Sequence, residues 1–70
     1  MKQLSKRWVR RLVTEPETGM GYQDVTFILK NRKRIDATIS DCEYILQSQQ
    51  DFNIEDIENV RVKDKLGNYI

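Results

Sequence analysis

Two alternating triplets constrain this chain more than any other feature. Val25, Phe27 and Leu29 recur at every second position, and so do Ile35, Ala37 and Ile39. Strand side chains alternate between faces, so each triplet reads as the apolar face of a β-strand, and a slip of one residue would turn that face to solvent. An odd number of residues must join the triplets if they are to share one face. The pairing that follows sets Leu29 against Ile35, Phe27 against Ala37 and Val25 against Ile39, with Asn31, Arg32 and Lys33 as the loop. A three-residue loop wants a residue tolerant of positive φ at its end, usually Gly, and Lys33 holds that place; Asn31 is the only favourable turn residue. On the other face Lys30 stands across from Arg34, and like charges directly opposite cost roughly tenths of a kcal/mol. The tip, with Lys30, Arg32, Lys33 and Arg34, therefore wants a partner or open water. Ile28 points away from Phe27, so either the sheet curls over it or it belongs to an interface.

Before this hairpin, Leu4, Trp8, Val9, Leu12 and Val13 recur at helical spacing, which predicts an amphipathic helix over residues 3–13; a strand beginning at Trp8 is the alternative. Its apolar stripe must be buried, which leaves Lys2, Lys6, Arg7, Arg10 and Arg11 as a basic face. Pro16 ends the helix near Thr14. Gly19 and Gly21 precede a strand rather than a helix, which does not suit a phosphate cradle. After the hairpin, residues 43–47 are expected to form a third strand that contributes Leu46 to the core, and residues 47–51 a polar loop. Asn53 is placed to cap a short helix from Ile54, with Phe52 and Ile57 spaced as a hydrophobic staple. Val60 and Val62 alternate with Arg61 and Lys63 as a last long strand, and Gly67 and Asn68 make a turn before Tyr69 and Ile70.

The expected fold is a single α+β domain spanning residues 1–70. In it a small bent antiparallel sheet or barrel of three to five strands packs on an N-terminal helix, with a short helix before the last long strand. Its expected core is Trp8, Leu12, Val25, Phe27, Leu29, Ile35, Ala37, Ile39, Leu46, Ile57 and Val60. A chain of 70 residues buries little, so oligomerisation is a plausible source of extra stability. No apolar run suits a membrane span and no basic-then-apolar leader stands at the start, so the expected setting is cytoplasmic, with no integral membrane association.

Chemistry is sparse. The chain has no histidine, the commonest general base and metal ligand, and one cysteine, Cys42, which excludes an internal disulfide framework and a thiolate metal site. Its neighbours Asp41 and Glu43 dull the thiol as a nucleophile. The first turn of a capped helix accounts for Glu55 and Asp56 without a site. No nucleophile and base are paired, so no catalytic residue, metal or cofactor is expected and the chain reads as non-enzymatic.

Charge is polarised along the sequence. Residues 1–11 carry five bases and no acid, whereas residues 35–59 carry seven acids and no base. Phosphate contacts need Lys and Arg on one face, so Lys6, Arg7, Arg10, Arg11, Lys30, Arg32, Lys33 and Arg34 are the candidate nucleic-acid-binding residues. Were the helix and the tip to converge, these side chains and Lys2 would make a strip of nine positive charges. Nucleic acid, RNA before DNA, is the candidate partner; a second copy of the chain or another protein is the alternative, through the hairpin edge and Ile28.

The basic N-terminal segment, the hairpin Val-Thr-Phe-Ile-Leu-Lys-Asn (25–31) with Arg-Ile-Asp-Ala-Thr-Ile-Ser-Asp (34–41), a third strand and the late Val-Arg-Val (60–62) together resemble Sm-like and related small β-barrels. That resemblance implies RNA binding through rings of subunits. No binding residue follows from it, because the family's base-contacting asparagine has no counterpart where Cys42, Glu43 and Tyr44 stand. The segments Trp-Val-Arg-Arg-Leu-Val (8–13) and Gly-Met-Gly-Tyr-Gln (19–23) also resemble short bacterial proteins of unassigned function.

Overall fold

Alternation does what the sequence asks of it. In a computed structural model, which describes residues 2–70, β1 (Lys2–Gln3), β2 (Tyr22–Leu29), β3 (Arg34–Ser40), β4 (Tyr44–Ser48) and β5 (Ile57–Lys63) form one antiparallel sheet in the order β1-β4-β3-β2-β5. One α-helix, α1 (Lys6–Leu12), and a single 3-10 turn (Ile54–Asp56) complete it. Val25, Phe27, Leu29, Ile35, Ala37 and Ile39 are all buried on one face, with Trp8 and Leu12 of α1 in the same cluster. Burying side chains of this size contributes roughly 1.5–3 kcal/mol each. Among the described residues no helix is long and apolar enough to cross a membrane.

The hairpin register differs from expectation by two residues. Phe27 pairs with Ile35 and Val25 with Ala37, so the faces are kept but the loop is Lys30, Asn31 and Arg32. Leu29 N–H donates to Lys33 O, Arg32 N–H donates to Leu29 O, and Arg32 takes the positive-φ position at φ 70. Asn31 Oδ1 accepts from Lys33 N–H, a local bond that favours this placement of the turn. Lys30 and Arg34 are consequently not opposed; Arg34 stands across from Ile28.

The helix is shorter than the periodicity suggests. Lys2 and Gln3 pair with Ile45 and Tyr44 of β4, and Leu4 N–H donates to Glu43 O, so pairing with the sheet takes the segment that the spacing assigned to α1. Ser5, in extended conformation, then starts the helix, and the strand alternative from Trp8 is not adopted. The helix stops before Pro16, where the buried amide of Gln23 donates from Nε2 to Leu12 O, Glu15 O and Pro16 O at 3.1, 3.4 and 3.3 Å. Among the described residues, Gln23 Oε1 has no partner.

Two bulges account for the remaining departures. Between Thr38 and Ile39 the pairing with β4 gains an extra residue, Leu46, so Ile45 faces the core and Leu46 is exposed. Opposite Ile28 and Leu29, β5 carries Glu58 as the extra residue, which lets Ile57 and Val60 both face inward despite opposite parity. Ile57 therefore begins a strand, and the expected helix shrinks to one 3-10 turn whose Asn53 makes no side-chain cap bond. Phe52 is buried against Phe27, ring centroids 5.4 Å apart. Leu4, Ile45, Phe52 and Val62 thus join the expected core and Leu46 leaves it.

The chain's last residues lie against the sheet's far face and the outer edge of β5. Tyr69 bridges to Lys63 and places its hydroxyl 3.0 Å from Thr26 Oγ1, while Ile70 N–H donates to Val62 O. Ile28 lies half-buried between Arg34 and Asn59 on this face.

Candidate nucleic-acid interface

The β2–β3 turn carries Lys30, Arg32, Lys33 and Arg34 to one end of the sheet, all exposed. None of these side chains forms an ion pair among the described residues. Acids do lie nearby: Lys30 N–H donates to Asp56 O, and Lys33 and Asn31 share a shallow groove with Asp51 and Asp56. Asp51 is itself engaged by Lys2, whose hydrogen bond and charge hold its carboxyl below the ordinary value.

On α1, Lys6, Arg7 and Arg10 are exposed and likewise without an ion pair among the described residues. Arg7 lays its guanidinium 4.6 Å from the Trp8 ring centroid. Arg11 behaves differently. It pairs with Glu15 and donates to Asn59 Oδ1 and Val60 O, each at 3.4 Å, which draws it onto the edge of β5.

Arg11 reaches along β5 to Asn59, which pairs with Ile28 of β2. Leu4 N–H on Glu43 O and Leu12 O on Gln23 Nε2 tie the helix to the end of the sheet that holds Tyr22, Ser40 and Tyr44. From Gln23 to Leu29 the strand climbs six residues, about 20 Å. Along that span Phe52 packs on Phe27, and Asp56 O accepts from Lys30 N–H, so the acidic 51–56 segment lies beside the tip. Lys2 is engaged by Asp51 and by Phe52 O.

A polar constellation that the sequence reading did not single out lies on the far face. Thr26 donates to Asp36 at 2.6 Å, Lys63 Nζ to the same oxygen at 3.1 Å, and Thr38 to Asp24 at 3.0 Å. Asp36 is held below its ordinary value by the Thr26 hydroxyl first and Lys63 second. Asp24, Asp36, Thr38 and Lys63 line a cleft of about 400 Å³ bounded by Gln47, Gln49 and Gly67. The signal was present as polar residues at 24, 26, 36 and 38, alternating with the apolar triplets. Cys42 sits in the β3–β4 turn, where burial first, then Glu17 and Asp41, push its thiol up, which leaves it protonated and weakly nucleophilic.

Comparison with protein-family models, curated proteins and solved structures finds no match.

Proposed function

We propose that this chain is a small non-enzymatic binding module that takes nucleic acid, RNA before DNA, on two separate basic surfaces: the β2–β3 tip and the exposed side of α1. One observation carries the reading. Of the eight candidate side chains, all but Arg11 are exposed and free of ion pairs among the described residues. Charges left in that state gain most from phosphate, because each contact releases condensed counterions. The Sm-like pattern of the hairpin and late strand supports RNA over DNA, and on this reading the sheet is that of a small β-barrel.

Salt dependence tests the proposal quantitatively. Each phosphate contact on a single strand contributes a slope of about −0.7 in log K against log salt, so the tip alone gives about −3 and both surfaces about −5. Titration of labelled single-stranded RNA should show one of these slopes, and replacing Lys30, Arg32, Lys33 and Arg34 by Ala should remove about 3 from the larger. Absence of binding at low salt, or affinity indifferent to salt, sinks the reading. Equal affinity for DNA of the same sequence overturns the preference for RNA. A protein-interaction or self-assembling role is the second reading, favoured by the full exposure of Met20.

A further inference from the structure

At the end of the sheet opposite the basic tip, the chain builds a turn that displays one apolar side chain. Tyr22 N–H donates to Gly19 O and Gly19 N–H to Tyr22 O, Gly21 lies at φ +80, and Asp41 N–H donates to Gly21 O. The Tyr22 ring folds across Gly19 so closely that a Cβ there would sit 2.2 Å from it. Met20, at the apex of this braced turn, is 99% exposed. Glu17 and Asp41 flank it, both exposed and without ion pairs among the described residues.

On the other side of the residue 41–43 turn lies a groove of about 300 Å³ between Leu4 and Val9, bounded by Gln3, Lys6, Arg10 and Glu43. Glu43 accepts a hydrogen bond from Gln3, and against its single charge Lys6 and Arg10 leave the rim of the groove net positive. The finger is apolar with acids beside it, and the groove is apolar with bases beside it. Both flank one turn, and a two-fold axis makes two such neighbouring features mutually complementary in a closed dimer.

We propose that a second copy of this chain covers this end of the molecule, the Met20 side chain of each copy entering the Leu4–Val9 groove of the other, with Glu17 and Asp41 facing Lys6 and Arg10. This goes beyond nucleic-acid binding and does not depend on it: the tip stays free in the dimer, while Lys6 and Arg10 pass into the joint, so nucleic acid reaches the α1 surface only in the monomer.

Sedimentation velocity of the full chain, free of nucleic acid, from about 10 μM to 1 mM tests it, since an interface anchored by one side chain from each copy belongs to the weak class. A reversible monomer–dimer equilibrium is expected. Met20→Ser, at a side chain that touches nothing in the fold, should weaken it about tenfold per finger, hence about a hundredfold for the pair. Arg10→Glu should weaken it too, and Glu17→Lys added to Arg10→Glu should restore it. Replacing the four tip bases should leave the dimer unchanged while abolishing the tip's share of RNA binding. A monomer at every concentration, or a dimer indifferent to Met20→Ser, overturns the proposal; a ladder of species larger than a dimer overturns the reciprocal arrangement.

Discussion

Arg32→Gly should stabilise this protein. Arg32 is exposed, makes no ion pair among the described residues, and occupies the left-handed region at φ 70 as the last residue of the β2–β3 loop. That conformation costs an L-residue roughly 1–2 kcal/mol. Glycine removes the cost but adds about 0.4–1 kcal/mol of unfolded-state entropy, so the net backbone gain is about 0.5–1 kcal/mol. Loss of a positive charge beside Lys30, Lys33 and Arg34 adds roughly tenths of a kcal/mol. Arg32→Ala shares the charge effect and keeps the strain, so the difference between the two variants isolates the backbone. For a domain of this size 1 kcal/mol moves the melting temperature by about 4–8 °C, which puts Arg32→Gly about 2–8 °C above Arg32→Ala. Urea and thermal unfolding followed by the fluorescence of buried Trp8 would read it. If Arg32→Gly is no more stable than Arg32→Ala, the loop does not hold residue 32 in the left-handed region and the two-residue change of register is wrong.

Three further outcomes follow from the same geometry. Gln23→Leu takes the side-chain donor from Glu15 O and Pro16 O, while Leu12 O keeps the Glu15 N–H, and should cost about 1–3 kcal/mol in urea unfolding, whereas Gln23→Glu sets a buried carboxyl against those oxygens and should cost more above neutral pH than at pH 4; equal loss at both pH values would refute the contact of residue 23 with these carbonyls. Asp36 has its folded value depressed below 3.8, so its contribution is present above that value and drains away as pH falls through the folded one. Thr26→Val should therefore lose less stability than wild type between pH 7 and about pH 3, and an unchanged acid limb would contradict the Thr26–Asp36 bond. Asp41 and Cys42 both sit at positive φ, 54 and 61, and Asp41→Gly should gain up to about 1 kcal/mol by the argument used for Arg32, read as a higher urea midpoint at constant slope.

Parity made most of the sheet legible. The triplets in residues 25–29 and 35–39 fixed which faces are buried, because any register differing by two residues preserves them, and the turn chemistry of Asn31 and Arg32 then chose among such registers. Parity failed at Leu46 and Ile57, where bulges insert a residue and reset the alternation; no local residue type announces them. The helix was legible through Trp8 and Leu12, but its start was not. Whether Leu4 begins a helix or ends a strand depends on Glu43, a partner far away in sequence. The basic candidates were legible as charges, but the turning of Arg11 onto Asn59 and Val60 and of Lys2 onto Asp51 and Phe52 O was not, since those partners lie far away in the chain.

The occupied edge of β5 has a consequence for how this protein behaves when concentrated. Val60 O is taken by the Arg11 guanidinium and Val62 O by Ile70 N–H, while the opposite border of the sheet is a strand of only two residues. Alternating apolar strands with open borders template the addition of further strands and end in fibrils. Here two of the outward acceptors of β5 that would receive a next strand are taken by the molecule's own arginine and tail, which disfavours growth of the sheet at this border.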